Sequence, residues 1–173
     1  MTSLQARVAE TARAYAPHEH RPMAGYLVAM GAYGALAAGL AVAAKMTGRT
    51  PPERPALADV VLISIATHKL SRLVAKDAVT SPLRAPFTRY TEPAGAAELN
   101  EEVRDSGSSV KHGIGELLTC PFCLAAWVAT GMTGGLVLAP RLTRLVATAL
   151  TATAASDFLQ MAYSMAKEKA EGS

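Results

Sequence analysis

The chain has 173 residues, 50% of them hydrophobic, 18% charged and 5% aromatic, with a formal net charge of +3. Soluble domains carry about 25% charged residues, so this balance leans away from a water-exposed globule and is too apolar for a disordered chain. Two cysteines exclude a disulfide-dense secreted scaffold, and the length fits one domain.

Residues 1–22 form a polar opening segment that carries Arg7, Arg13 and Arg21. Between Arg21 and Lys45 lie 23 residues without a charge (PMAGYLVAMGAYGALAAGLAVAA). Crossing a bilayer takes about 20 apolar residues, so the stretch predicts a transmembrane helix. A signal peptide would begin its apolar run nearer the start, so the helix is read as retained. Gly31, Ala35 and Gly39 recur every four residues along it. That spacing is the small-xxx-small pattern of close helix packing, or the plain outcome of an alanine-rich composition.

A second stretch, Leu57–Ala75, is weaker because it carries Asp59, His68, Lys69 and Arg72. Asp59 is expected to cap its outer start. Lys69, Arg72 and Lys76 are expected to reach the headgroups from its inner end. The polar segment 76–116 follows. Pro82 and Pro86 forbid one continuous helix across SPLRAPFTRY (81–90). That part reads as a surface-hugging connection, with Phe87 and Tyr90 at the interface and Arg84 and Arg89 near lipid phosphates. The acidic run Glu92, Glu98, Glu101, Glu102 and Asp105, with Ser106–Ser109 after it, reads as a solvated linker over 92–110.

A third stretch runs uncharged for 24 residues between Glu116 and Arg141, with Gly131, Gly134 and Gly135 as close-packing candidates. The fourth, Leu142–Ala166, carries Arg144 and Asp157, and a tail occupies 167–173. The predicted fold is all-α: a polytopic bundle of four transmembrane helices in 23–75 and 117–166, with 76–116 as a cytoplasmic loop between helices 2 and 3. Two spans with two interfacial helices is the alternative. Twelve of the 17 Lys and Arg residues fall on the side shared by both ends and the central loop, against five on the other. Basic loops resist translocation, which predicts the bacterial cytoplasmic (inner) membrane with both termini in the cytoplasm. Asp157 stands about 13 Å from the inner end of its helix at 1.5 Å per residue. It is expected to pair with Arg72, Lys69 or His68 and so fix helix register.

Cys120-Pro121-Phe122-Cys123 is the sharpest local motif. Proline suits the first position of a helix, which places Cys120 at a cap and Cys123 in the first turn, where amide dipoles favour a thiolate. Three readings stay open. The thiols are packed small residues, a dithiol/disulfide couple, or half of a metal site completed by His112 and His68. Quinone-linked disulfide-forming membrane proteins use a similar motif, but with a second cysteine pair and on the other side of the membrane. Zinc or quinone is expected as a cofactor under these alternatives alone. No Ser/His/Asp arrangement, phosphate loop or carboxylate pair points to a hydrolase or ATPase. Sparse Lys and Arg outside the membrane flanks argue against nucleic acid.

Three blocks carry a resemblance: THKLSRLVAKDAVTSPLRAPFT (67–88), GIGELLTCPFC (113–123) and Trp127. Together they resemble the uncharacterised bacterial membrane family catalogued as domain of unknown function 1360. The matching positions are Lys69, Arg72, Asp77, Arg84, Pro86, Phe87, Gly115, Glu116, Leu117, Leu118, Thr119, Cys120, Pro121, Cys123 and Trp127. The resemblance implies a small integral membrane protein of bacteria and brings no assigned activity. The reading that follows is a non-enzymatic membrane anchor or scaffold, in contact with lipid and docking a cytoplasmic protein, with self-association left open. A thiol-redox or metal-binding protein built on Cys120 and Cys123 is the alternative, and a small channel or holin-like assembly is a further one.

Overall fold

The computed structural model describes residues 3–18, 21–105 and 107–172. In chain order these form helices α1 (Ser3–Tyr15), α2 (Met23–Met46) and α3 (Leu57–Lys76), then a 3-10 turn (Ala78–Thr80) and the single-turn α4 (Ser81–Arg84). Strands β1 (Thr88–Gly95) and β2 (Glu98–Val103) follow, and then α5 (Ser109–Thr119), α6 (Pro121–Leu138) and α7 (Pro140–Glu171).

Local sequence explains the breaks. Gly48, at φ +65°, lies just beyond the end of α2, where a left-handed residue is least costly in glycine. Pro121 and Pro140 open α6 and α7 at the position where a missing N–H costs nothing. The glycine-containing approach to the cysteine motif forms α5, a helix separate from α6.

Two of the helices, α2 and α6, are long and apolar enough to cross a membrane, and almost none of their apolar length is buried in the fold. The buried hydrophobic core residues among those described are few and mostly small: Ile63, Ala66, Ala75, Leu124, Ala147 and Ala154. Larger ones point outward, among them Leu27, Val28 and Met30 on α2, Phe122 on α6, and Phe158 and Leu159 on α7. α3 packs against both α6 and α7, which also touch each other, and α6 also touches α2, which in turn crosses α5.

Glycines permit two of these crossings. A Cβ on Gly25 would overlap the Ser109 carbonyl oxygen, so α2 and α5 meet backbone to backbone. One on Gly134 would stand 2.6 Å from the Leu40 side chain of α2. Around Gly31, Gly39 and Gly131 there is nothing within 4 Å, so the two glycines of the α2 repeat are not packed against any other described part of this chain.

The all-α expectation needs a correction. Residues 88–103, three quarters of them assigned above to a solvated linker, form an antiparallel hairpin with Thr88 opposite Val103, Arg89 opposite Glu102 and Glu92 opposite Asn100. Gly95 (φ +137°) and Ala97 (φ +63°) supply the reversal. Its tip docks on the end of α3, where the Ala78 amide donates to the Ala97 carbonyl at 2.8 Å. Ser106 lies outside the described residues.

Asp59 does not cap α3, whose N-cap is Ala56 without a side-chain bond. It accepts instead from Arg144 of α7, through Nε at 2.8 Å and Nη2 at 2.7 Å.

Candidate functional site

The polar residues gather where α3 ends. Arg72 grips Glu98 at the start of β2, with Nη2 2.6 Å from both carboxylate oxygens and Nε 3.0 Å from one. Three residues earlier, Lys69 Nζ stands 2.8 Å from Asp157 of α7 and 4.0 Å from Asp77. So Lys69, not Arg72, is the partner of Asp157, because the hairpin has already claimed Arg72. His68, the third candidate, is exposed.

Arg84 is the centre of this region. Its side chain is 0% exposed, and that of its partner Glu101 is 5% exposed. Nε and Nη2 each donate to a Glu101 oxygen at 2.9 Å. Nη1 donates to the Val74 carbonyl and to Thr80 Oγ1, both at 2.7 Å, and Nη2 also reaches the Asp77 carbonyl at 3.0 Å. A guanidinium has five N–H groups, and here all five are used. Val74 lies in the last turn of α3 and Asp77 is its C-cap; the last carbonyls of a helix lack helical partners and carry the negative end of its dipole. One arginine thus caps α3, closes the turn through Thr80, and holds the hairpin through Glu101. The expectation that Arg84 meets lipid phosphates is overturned: it is consumed within the fold. Arg89 remains at the surface, 2.9 Å from Glu102.

Burial alone would raise the pKa of Glu101. The hydrogen bonds from Arg84 and Thr88 and the charge of Arg84 outweigh it, and hold the carboxyl below its ordinary value. Thr88 Oγ1 lies 2.8 Å from Glu101 and 2.9 Å from the Arg84 carbonyl. Thr80, Arg84 and Thr88 recur every four residues, a regularity that could have marked this node in the sequence. Phe87 is half-buried, and its carbonyl accepts from the Arg104 amide at 2.9 Å. Gly115 lets α5 approach the same carbonyl and the Val103 side chain.

At the α5–α6 junction, Cys120 caps α6: its Sγ accepts from the Cys123 amide at 3.1 Å. Both thiols are free; Cys120 is half-buried and Cys123 exposed. Glu116 is 3.6 Å from His112, one turn back on α5. Among the described residues no group of three or more His, Cys, Asp or Glu side chains converges as a metal would require. Cys120, Cys123, His112 and His68 therefore do not form one ligand set in this chain. Trp127 packs edge-on against Tyr33 of α2 with ring centres 5.4 Å apart, and the Tyr33 hydroxyl lies 2.8 Å from Thr130 Oγ1. Its place is the α2–α6 contact. A cavity of about 520 Å³ opens between α1 and α2, lined by Tyr15, Ala16, Pro17, His18, Arg21 and Tyr26.

Residues 62–163 match a family described as "Protein of unknown function (DUF1360)". The match takes in most of α3, the hairpin, α5, α6 and most of α7, and leaves α1 and α2 outside. The chain is also 35% identical over 71 residues to the "Sporulation protein YjcA" of Bacillus subtilis (strain 168), an alignment covering 40% of this chain and 60% of that protein. The chain thus spans less than two thirds of that relative's length. No solved structure matches it.

Proposed function

The chain belongs to the DUF1360 family, and from that premise we propose that it is a multi-pass bacterial membrane scaffold whose rigid polar head presents a docking surface to a cytoplasmic protein. The observation that carries the reading is the inverted placement of side chains. Large apolar groups face outward on the long helices, while small ones lie between them. Water penalises that arrangement and lipid accepts it.

The charges of α3 and α7 fit the same reading. Asp59 pairs with Arg144, and Lys69 with Asp157. Each pair joins the two helices and presents lipid with a neutral unit in place of two ions, as buried membrane charges require. Both helices then serve as spans beside α2 and α6, giving four. The head lies between the second and third of them, on the side richer in Lys and Arg, which is the cytoplasmic side. Its enclosed charges, Arg84 and Glu101, are paired, and among the described residues no group of three or more His, Cys, Asp or Glu side chains converges in it. A platform of that kind suits holding a partner more than transforming a substrate.

Extraction and reporter fusions test this reading. The chain is expected to resist alkaline carbonate and dissolve in detergent, with a C-terminal reporter active in the cytoplasm and one in residues 47–56 active outside. Release into plain buffer would overturn the membrane assignment. Retention of every specific cytosolic partner after Arg84→Ala, in a pull-down from solubilised membranes, would overturn the role of the head. The Bacillus subtilis relative's name supplies a process, sporulation, and we extend that process to this chain as a place to look for a deletion phenotype.

A second reading rests on the thiol pair, since Cys120 and Cys123 are free and adjacent at the start of α6. Thiol trapping with and without reductant separates it from the first. A reversible disulfide in cells would favour redox chemistry, and two permanently free thiols a capping role.

A further inference from the structure

The turn that follows α3 is built inside out. Its single charged side chain, Arg84, is wholly buried with every N–H donated within the fold. Its apolar side chains face outward: Val79 is 80% exposed and Leu83 61%, with Pro82, Ala85 and Pro86 exposed around them. Val79 and Leu83 are four residues apart in consecutive turns of helix, so they share one face.

Much of the turn's backbone is also satisfied within the fold. The amides of Ala78, Thr80, Ser81, Ala85 and Phe87 donate to the carbonyls of Ala97, Asp77, Ala78, Ser81 and Arg84 respectively. Pro82 and Pro86 have no amide hydrogen to satisfy. A surface turn in water normally shows charge outward and satisfies much of its backbone with solvent. Internal satisfaction of polar groups is what contact with lipid demands.

Resting on the membrane reading above, we propose that the face made by Val79 and Leu83 is a foot that enters the headgroup–acyl boundary of the leaflet in which α3 ends. The occupant is lipid for two reasons. The turn begins two residues after the last residue of α3, which sets it at the level where that helix leaves the bilayer. The face is also small: two side chains and their proline neighbours offer far less than the roughly 800 Å² per partner of a stable protein interface. Arg84, in the same turn, holds Glu101 of β2, so foot and hairpin move as one body. The foot therefore fixes the height and tilt at which the hairpin meets a partner.

The test uses the full chain in nanodiscs of phosphatidylcholine and phosphatidylglycerol, with Cys120→Ser and Cys123→Ser as background. A bimane probe is attached through Val79→Cys, Leu83→Cys, Val42→Cys on α2, or Glu92→Cys on the hairpin. Positions 79 and 83 are expected to be quenched by brominated lipid at least half as strongly as position 42. They should also be shielded at least threefold from aqueous iodide relative to position 92. Probes at 79 and 83 that are open to iodide and silent to brominated lipid, with position 42 quenched by lipid, would overturn the foot and leave the membrane reading standing. Shielding from both quenchers would overturn it in favour of a protein contact. Silence at position 42 would overturn the membrane reading and the foot together.

Discussion

The head and the helical part of this molecule hold themselves together by opposite means. In the head, between the end of α3 and the hairpin, arginines are held in place by carboxylates and main-chain carbonyls, and the central pair is fully enclosed. Between the long helices the contacts are small residues and a few polar bridges, and the large apolar groups face away. A buried ion pair is sensitive because removing one partner strands the other, whereas a loose apolar contact has little to strand. Substitutions of similar size should therefore have very unequal effects in the two places.

Arg84→Ala should have the largest effect. It leaves Glu101 charged and enclosed, and takes a guanidinium donor from each of the Val74 and Asp77 carbonyls at the end of α3. Breaking a buried pair from one side costs about 3–5 kcal/mol, enough to detach the hairpin or to deplete folded protein in detergent. Hydrogen exchange over 88–103 would report it. Arg84→Lys should not rescue, since an ammonium has three donors where five are used. Full protection of the hairpin in the lysine variant would show that charge alone, without the fork, is sufficient.

Next comes the crossing of α2 and α5. A side chain at Gly25 meets the Ser109 carbonyl, main chain that cannot step aside. Gly25→Val should therefore shift the two helices apart at a cost of about 1–3 kcal/mol, read as a lower melting temperature in detergent. An unchanged melting temperature would mean that α5 is not seated against α2.

Acid should single out the head. The Glu101 carboxyl is held below its ordinary value by Arg84 and Thr88, against the opposing effect of burial. A depressed folded-state value means that the unfolded chain takes up the proton first. The stabilisation is therefore complete above the unfolded-state value of about 4.3 and is lost as the pH falls through the folded one. Hairpin protection should weaken at low pH in the wild type. In Glu101→Gln it should be lower at neutral pH and nearly flat with acid. Equal acid responses in the two proteins would place the titrating group elsewhere.

The Lys69–Asp157 pair should be worth less. With α3 and α7 as spans, as proposed above, the scale is the roughly 0.6 kcal/mol that polar contacts between membrane helices average in double-mutant cycles. Lys69→Met, Asp157→Asn and the double variant should give a coupling of that order. Zero coupling would show that α3 and α7 are aligned by Asp59 and Arg144 without help from this pair.

The unequal sensitivity of the two regions parallels how legible each was in the sequence. Uncharged length marks α2 and α6 directly, because a bilayer imposes a length and a composition that few other environments ask for. The head gave no such mark. Glutamates are depleted in strands, so 98–103 looked like a solvated acidic run. Glu98 and Glu101 sit in β2 because Arg72 and Arg84, 26 and 17 residues away in sequence, reach them there. Pairing over that distance is a tertiary fact, and local pattern cannot contain it. For the same reason Arg84 read as a surface cation, although the Thr80–Arg84–Thr88 spacing hinted at a fixed place. The cysteine motif was legible as a helix start from Pro121, and its Sγ bond to the Cys123 amide follows from that start.

The smallest effect should come from the outer face of α2. A Cβ added at Gly31 or Gly39 meets nothing within 4 Å. Glycine inside a helix is worse than alanine by about 1 kcal/mol, so Gly31→Ala and Gly39→Ala should leave the melting temperature of the monomer unchanged or slightly raised. A bulkier change, Gly39→Leu, should be equally harmless to the fold, because the added atoms project into open space. The same variants separate the two meanings of the small-residue repeat. If the glycines reflect composition alone, all three variants keep the particle size of the wild type in detergent. If a second copy packs its own α2 there, leucine at 39 holds the backbones apart, and the particle shrinks while its melting curve stays in place. Loss of stability without a change in particle size would contradict both meanings, and would show that another part of this chain occupies that face.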